Sequence, residues 1–189
     1  MDSFSIILVV VLLILVILSA FFSGSETSIM ALNQIKLDNA EKQGNKSAKI
    51  INSLRKEINR VLGVILIGNN LVNISASALL TFFVIKKFGD EYVWIGTLLL
   101  TIFIIIFAEI APKSFAAKRP ESIAYPAGRI LKVLTKYLGS FSEMLTSISN
   151  SLTGIKNNEN YFSENLNRDE LKSVLEKETK EVDKEEMDA

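Results

Sequence analysis

No residue between Ser3 and Ser25 carries a charge, and Val61 to Ile85 is a second run without one. Each is long enough for the roughly 20 helical residues that cross about 30 Å of hydrocarbon. A third apolar run, Tyr92 to Ala108, stops at Glu109, and Ile110 and Ala111 carry its character past that carboxylate. A chain of 189 residues is too small to sheathe three such segments in a soluble core. The fold class that follows is an all-α membrane protein: three transmembrane helices plus cytoplasmic juxtamembrane helices. The first run reads as a retained helix and not a secretory signal, because Met1-Asp2-Ser3 gives it no basic flank and its apolar stretch is too long.

Basic residues set the direction of the spans. Lys36, Lys42, Lys46, Lys49, Arg55, Lys56 and Arg60 lie between the first two, and Lys113, Lys118, Arg119, Arg129, Lys132 and Lys136 follow the third. The second connection holds only Lys86 and Lys87, and the first eight residues hold none. By the positive-inside rule the amino terminus is expected outside and the carboxyl terminus in the cytoplasm of a multi-pass protein of the cell membrane.

The apolar share is 49%, and Lys plus Arg balance Asp plus Glu at 21 each, so there is no basic excess to suggest a nucleic-acid partner. The lipid bilayer is the expected partner instead. Cys and His are both absent, which excludes disulfides, thiolate or imidazole zinc sites, Ser-His-Asp chemistry and histidine proton relays. Any metal site has to use oxygen. No second intramembrane carboxylate accompanies Glu109, so a hydrolase is disfavoured and the chain reads as no enzyme.

The organisation expected is a three-span core over residues 1–115, a juxtamembrane helical segment over 116–156, and a linker with an acidic helix over 157–189. The core includes a cytoplasmic helix over 33–60 with Asn33 as N-cap and a break at Gly44-Asn45. After Pro120, apolar residues from Ile123 to about Leu152 recur at helical spacing, as an interfacial helix or a packing collar. Asn157 to Ser163 is turn-like, and Asn167-Arg168-Asp169-Glu170 has capping-box form ahead of a stripe of Leu171, Val174 and Leu175.

Chemistry is concentrated where lipid should forbid polar groups. Glu109 is the only acid within the three runs, and a carboxylate there costs several kcal/mol unless it faces protein, water or a cation. In the second run Asn69, Asn70, Asn73, Ser75 and Ser77 fall within nine residues. At about 100° per residue, Asn69, Asn70, Asn73 and Ser77 share an arc of roughly 100°, with Ser75 elsewhere. An interhelical hydrogen-bond seam explains such a face as readily as a cation site does. Ser23-Gly24-Ser25-Glu26-Thr27-Ser28 is expected to interrupt the first helix, and Pro112 the third, as in broken helices that bind cations. With about 1.5 Å of rise per residue, Ser23 and Glu109 lie roughly 26 to 28 Å from the outer ends of their spans. Asn69 and Asn73 lie roughly 12 to 18 Å above the inner end of theirs, so with tilt the groups can converge. Hydroxyl, amide and carbonyl oxygens plus one carboxylate suit a hard cation, Mg²⁺ ahead of softer metals.

Phe22-Ser23-Gly24, Met30-Ala31-Leu32, Gly68-Asn69 through Leu71-Val72-Asn73, and Glu109-Ile110-Ala111-Pro112-Lys113 together resemble the transmembrane domain of the CNNM/CorC family. Their order and spacing match over nearly the whole chain, including an acidic linker helix of Asp169-Glu170-Leu171-Lys172 type. The resemblance implies a magnesium ion transporter: efflux of Mg²⁺ coupled to Na⁺ entry, by a homodimer. It also implies a cytosolic CBS-pair module, sensing nucleotide, beyond the point where this sequence stops. Carried over by position, it implies Ser23, Asn69, Asn73 and Glu109 as metal ligands, with Asn70 and Ser75 as further candidates. Ser25, Glu26 and Ser28 receive no role, although a Na⁺ site could involve them. The competing reading is a membrane-anchored regulatory or interaction subunit in which the asparagine face is only a dimer seam.

Overall fold

In the computed structural model, which describes residues 3–153, every regular element is a helix. One compact unit spans Met1–Thr146; of a second, Ser147–Ala189, only the end of the last helix through Thr153 is described. The expected acidic helix lies outside the described residues.

The first span is α1, Ser3–Ala31. Two short helices follow, α2 at Gln34–Lys42 and α3 at Lys46–Arg55, before the second span, α4, at Ile58–Phe88. After a tight connection through Gly89, the third span begins with one 3-10 turn and continues as α5, Val93–Phe103, a π-helical stretch Ile104–Ile110, and α6, Ala111–Lys118. The long helix α7 occupies Pro120–Thr153. The three spanning segments are 29, 31 and 29 residues long, or about 44 Å at 1.5 Å per residue. Each exceeds the hydrocarbon thickness, so their ends reach the headgroup layers.

The first span buries hydroxyls that a water-soluble helix would leave in solvent. In α1, Ser5, Ser19, Ser23, Ser25 and Ser28 are buried while Ile7, Leu13, Ile14 and Ile17 are exposed. Lipid solvates Leu and Ile well, so association selects small side chains that let backbones approach and hydroxyls that pair across helices. Gly68 on α4 illustrates the approach: a Cβ there would stand 2.5 Å from the Phe22 ring, so only glycine admits that ring.

Outside the spans the ordinary rule returns. Asn33 caps α2, its Oδ1 accepting from the Lys36 N–H at 3.0 Å. Asn45 caps α3 in the same manner, accepting from Ser47 and Ala48. Between them Gly44 takes a φ of +87°, the left-handed conformation that glycine adopts without strain. The expected break is therefore present, and it divides the segment between the first two spans into two helices. Leu37, Ile51, Leu54 and Ile58 bury against Ala124, Ala127 and Leu131 of α7, which places α7 as packing for α3 and the start of α4. Gly128 sits against Ile51, where a Cβ would come within 2.6 Å of its Cδ1. Polar ties finish this layer: Asn52 Nδ2 donates to Asp38 at 2.9 Å and Arg55 Nη1 donates to the Leu32 carbonyl at 3.0 Å.

Candidate metal site

Ser19 Oγ donates to Asn69 Oδ1 at 2.9 Å, and one turn further along α1 the Phe22 ring packs on Gly68. These two contacts run in opposite senses along the two chains, so α1 and α4 are antiparallel. Gly96 of α5 meets Val84 and Leu80 of α4 across the short connection, which makes that pair antiparallel too. The third span therefore runs parallel to α1, and Gly24 stands level with Pro112, 3.6 Å from its Cβ for a substituent at the glycine.

That register fixes depth. Three residues before Pro112, Glu109 is level with Phe21, and Phe21 lies between Ser19 and Phe22, which meet Asn69 and Gly68 of α4. Ser23 is about 3 Å deeper than Phe21, and Asn73 about 6 Å shallower than Asn69, at 1.5 Å per residue. Ser23, Asn69, Asn73 and Glu109 thus occupy a layer about two turns thick. Helix α1 is the shared wall, packing against α4 on one side and against the π-helical stretch and α6 on the other.

Within this layer several oxygens have no partner. Ser23 is 1% exposed, and its Oγ, the Ser25 Oγ and the Asn73 Oδ1 are buried without a hydrogen bond. A buried polar atom left unpaired costs about 1–3 kcal/mol, so each of the three requires a reason. Glu109 is half-buried and enters none of the ion pairs among the described residues. Lys113, one helical turn after it, is instead 3.7 Å from Glu26 near the C-terminal end of α1. The carboxylate is left without a protein cation.

The backbone around Glu109 is itself irregular. The Ala111 N–H bonds to the Ile106 carbonyl, an i to i−5 bond, and Pro112 offers no N–H at all. A π-helical stretch widens the turn, relieves the proline ring and leaves carbonyls without their usual donors. The expected interruption of the third helix takes this form, a widened turn in a helix that continues to Lys118. In the first span the expectation fails: α1 runs unbroken through Ser23 and Gly24 to Ala31, with Gly24 buried in the helix.

The remaining candidates separate. Asn69 is half-buried and already bonded to Ser19, as a seam requires. Asn70 is exposed, 200° around α4 from the buried Gly68. Ser75 is half-buried on the flank away from Asn73. Sequence reasoning overlooked Ser19, although its position four residues before Ser23 puts it on the same face, and passed over the buried Ser25 hydroxyl. Among the described residues no three acidic side chains cluster, so a cation here would meet one carboxylate and neutral oxygens.

Comparison with known proteins agrees with this architecture. Residues 10–186 match the family described as the cyclin M transmembrane N-terminal domain, CNNM. The inner membrane protein YfjD of Escherichia coli, a UPF0053 protein, is 39% identical over 90% of this chain and 40% of its own length. A UPF0053 protein of Haemophilus influenzae is 40% identical over 78% of this chain and 35% of its own. A chloroplastic DUF21 domain-containing protein of Arabidopsis thaliana is 34% identical over 84% and 24%. The chain spans less than half the length of these relatives. With three helices long and apolar enough to cross a bilayer and a family match over most of its length, it is a multi-pass membrane protein that belongs to the CNNM transmembrane-domain family.

Proposed function

We propose that this chain is the membrane domain of a Mg²⁺ transporter, with Glu109, Ser23, Asn73 and Asn69 supplying the intramembrane ligands. The observation that carries the reading is that Glu109 has no protein cation among the described residues while the Ser23 Oγ and Asn73 Oδ1, in the same two-turn layer, are buried without a hydrogen-bond partner. Mg²⁺ is the substrate. It prefers six oxygen ligands at about 2.0–2.1 Å and keeps several waters, so a site offering one carboxylate and a few neutral oxygens suits a partly hydrated ion. A single negative charge holds a divalent ion only moderately, which lets the ion leave again. Carbonyls freed along the π-helical stretch would add to the ligand set.

The finer features belong to the same proposal: efflux coupled to Na⁺ entry, a homodimer, a cytosolic CBS-pair module in the longer protein, and an amino terminus outside the cell membrane. The relatives, two and a half to four times as long as their matched regions, leave room for that module. The Ser19–Asn69 bond favours a second reading, in which the asparagine face is structural and the chain is a regulatory or interaction subunit. Transport in proteoliposomes distinguishes the two. Mg²⁺ flux is expected to fall to background in Glu109→Ala while the protein still inserts and folds. Normal flux in that variant would eliminate the transport reading.

A further inference from the structure

A cavity of about 380 Å³ opens where α1 and α6 end and α2 and α7 begin. Three cations line it, Lys36, Lys118 and Arg119, against one carboxylate, Glu121, with Asn33 and Ser122 as neutral polar groups. We propose that this cavity holds the phosphate of an anionic phospholipid headgroup. The proposal is separate from the metal site, whose residues lie deeper in α1 and before α6.

Charge is the first argument. Lys113 and Arg60 each have a carboxylate within 4 Å, but Lys36, Lys118 and Arg119 form no ion pair among the described residues. Three cations gathered around one cavity repel one another, and an anion with several acceptor oxygens relieves that repulsion. The starts of α2 and α7 at the same cavity add the positive ends of two helix dipoles.

Depth decides the kind of anion. Ala31 and Lys118 are the last residues of two membrane spans, and both line the cavity, so it lies at headgroup level. Its flanks are apolar and open: Ile35 is 53% exposed beside Lys36, and Phe115 is 46% exposed one turn before Lys118 and Arg119. A free phosphate has nothing to place on those side chains, whereas a phospholipid has its glycerol and acyl chains. The face is also the one rich in basic residues, which the positive-inside rule assigns to the cytoplasmic leaflet, where anionic lipids collect.

The test uses the purified chain in mixed micelles, with retained lipid counted by native mass spectrometry for phosphatidylglycerol and phosphatidylcholine. Phosphatidylglycerol is expected to be retained in preference. That preference should fall by about fivefold for Lys118→Gln and by about a hundredfold when Lys36→Gln and Arg119→Gln are added. Lys36→Arg with Lys118→Arg should keep it. These side chains are exposed, so an unchanged melting temperature in phosphatidylcholine checks that each variant folds. Undiminished phosphatidylglycerol preference in the triple variant would overturn the proposal. Complete displacement of the lipid by millimolar inorganic phosphate would overturn it too, by making the site one for free anions.

Discussion

The spans and the layer of helices outside them pack by different rules. Outside the spans, Leu37, Ile51, Leu54 and Leu131 go inside, and polar groups beside them are capped or paired. Inside the membrane, five serines of α1 go inside alongside Val16, Phe22 and Ile29, while most of its large aliphatic side chains face out. In water a polar group left on the surface costs nothing, so burial of an unpaired one is avoided; in lipid it has to turn inward whether or not a partner exists. The layer outside the spans pairs most of its polar groups but leaves Arg60 Nε and Thr135 Oγ1 buried without a hydrogen bond. The span interior satisfies Ser19 and Asn69 and leaves Ser23, Ser25 and Asn73 open.

The comparison can be broken first where packing alone should matter. Ile51→Ala empties a fully buried position between α3 and α7 and should cost about 2–5 kcal/mol, measured by chemical or thermal unfolding in detergent. Any Mg²⁺-dependent stabilisation should survive it. A parallel loss of the Mg²⁺ response would mean that the two regions are not independent.

A smaller and sharper contrast comes from two serines one turn apart on α1. Ser19→Ala removes a made hydrogen bond and should destabilise the metal-free protein by about 0.6 kcal/mol, the usual size of such a bond in a membrane. Ser23→Ala removes a hydroxyl that has no partner, so the metal-free protein should be as stable as the parent or more so. With Mg²⁺ present the order should reverse, because only Ser23 is a ligand in this account. Equal behaviour of the two variants with and without Mg²⁺ would remove the distinction between seam and site.

Much of this was legible from residue order. The uncharged runs gave three spans, Asn33 announced an N-cap, and Gly44-Asn45 announced a break, because each rests on local chemistry. The π-helical stretch was legible only as trouble near Pro112; that the helix would widen and continue depends on α1 packing beside it. The unbroken course of α1 through Gly24 was misread for a related reason. A glycine followed by hydroxyls looks like a breaker, yet Gly24 and the serines beside it are buried inside a continuous helix. Asn70 likewise shares an arc with Asn69 and Asn73 on a helical projection, yet it is exposed, since which edge of that arc meets α1 is a tertiary matter. The pairing of Lys113 with Glu26 leaves Glu109 without a cation, a fact no spacing could announce.

The central claim is that the open oxygens around Glu109 receive Mg²⁺, and thermal unfolding of the purified chain across a Mg²⁺ titration tests it most directly. At ten times the dissociation constant a single site should stabilise the parent by about 1.4 kcal/mol. Glu109→Gln, which keeps the shape and removes the charge, should unfold at one temperature throughout the titration. A Mg²⁺-dependent shift of equal size in both proteins would contradict the account.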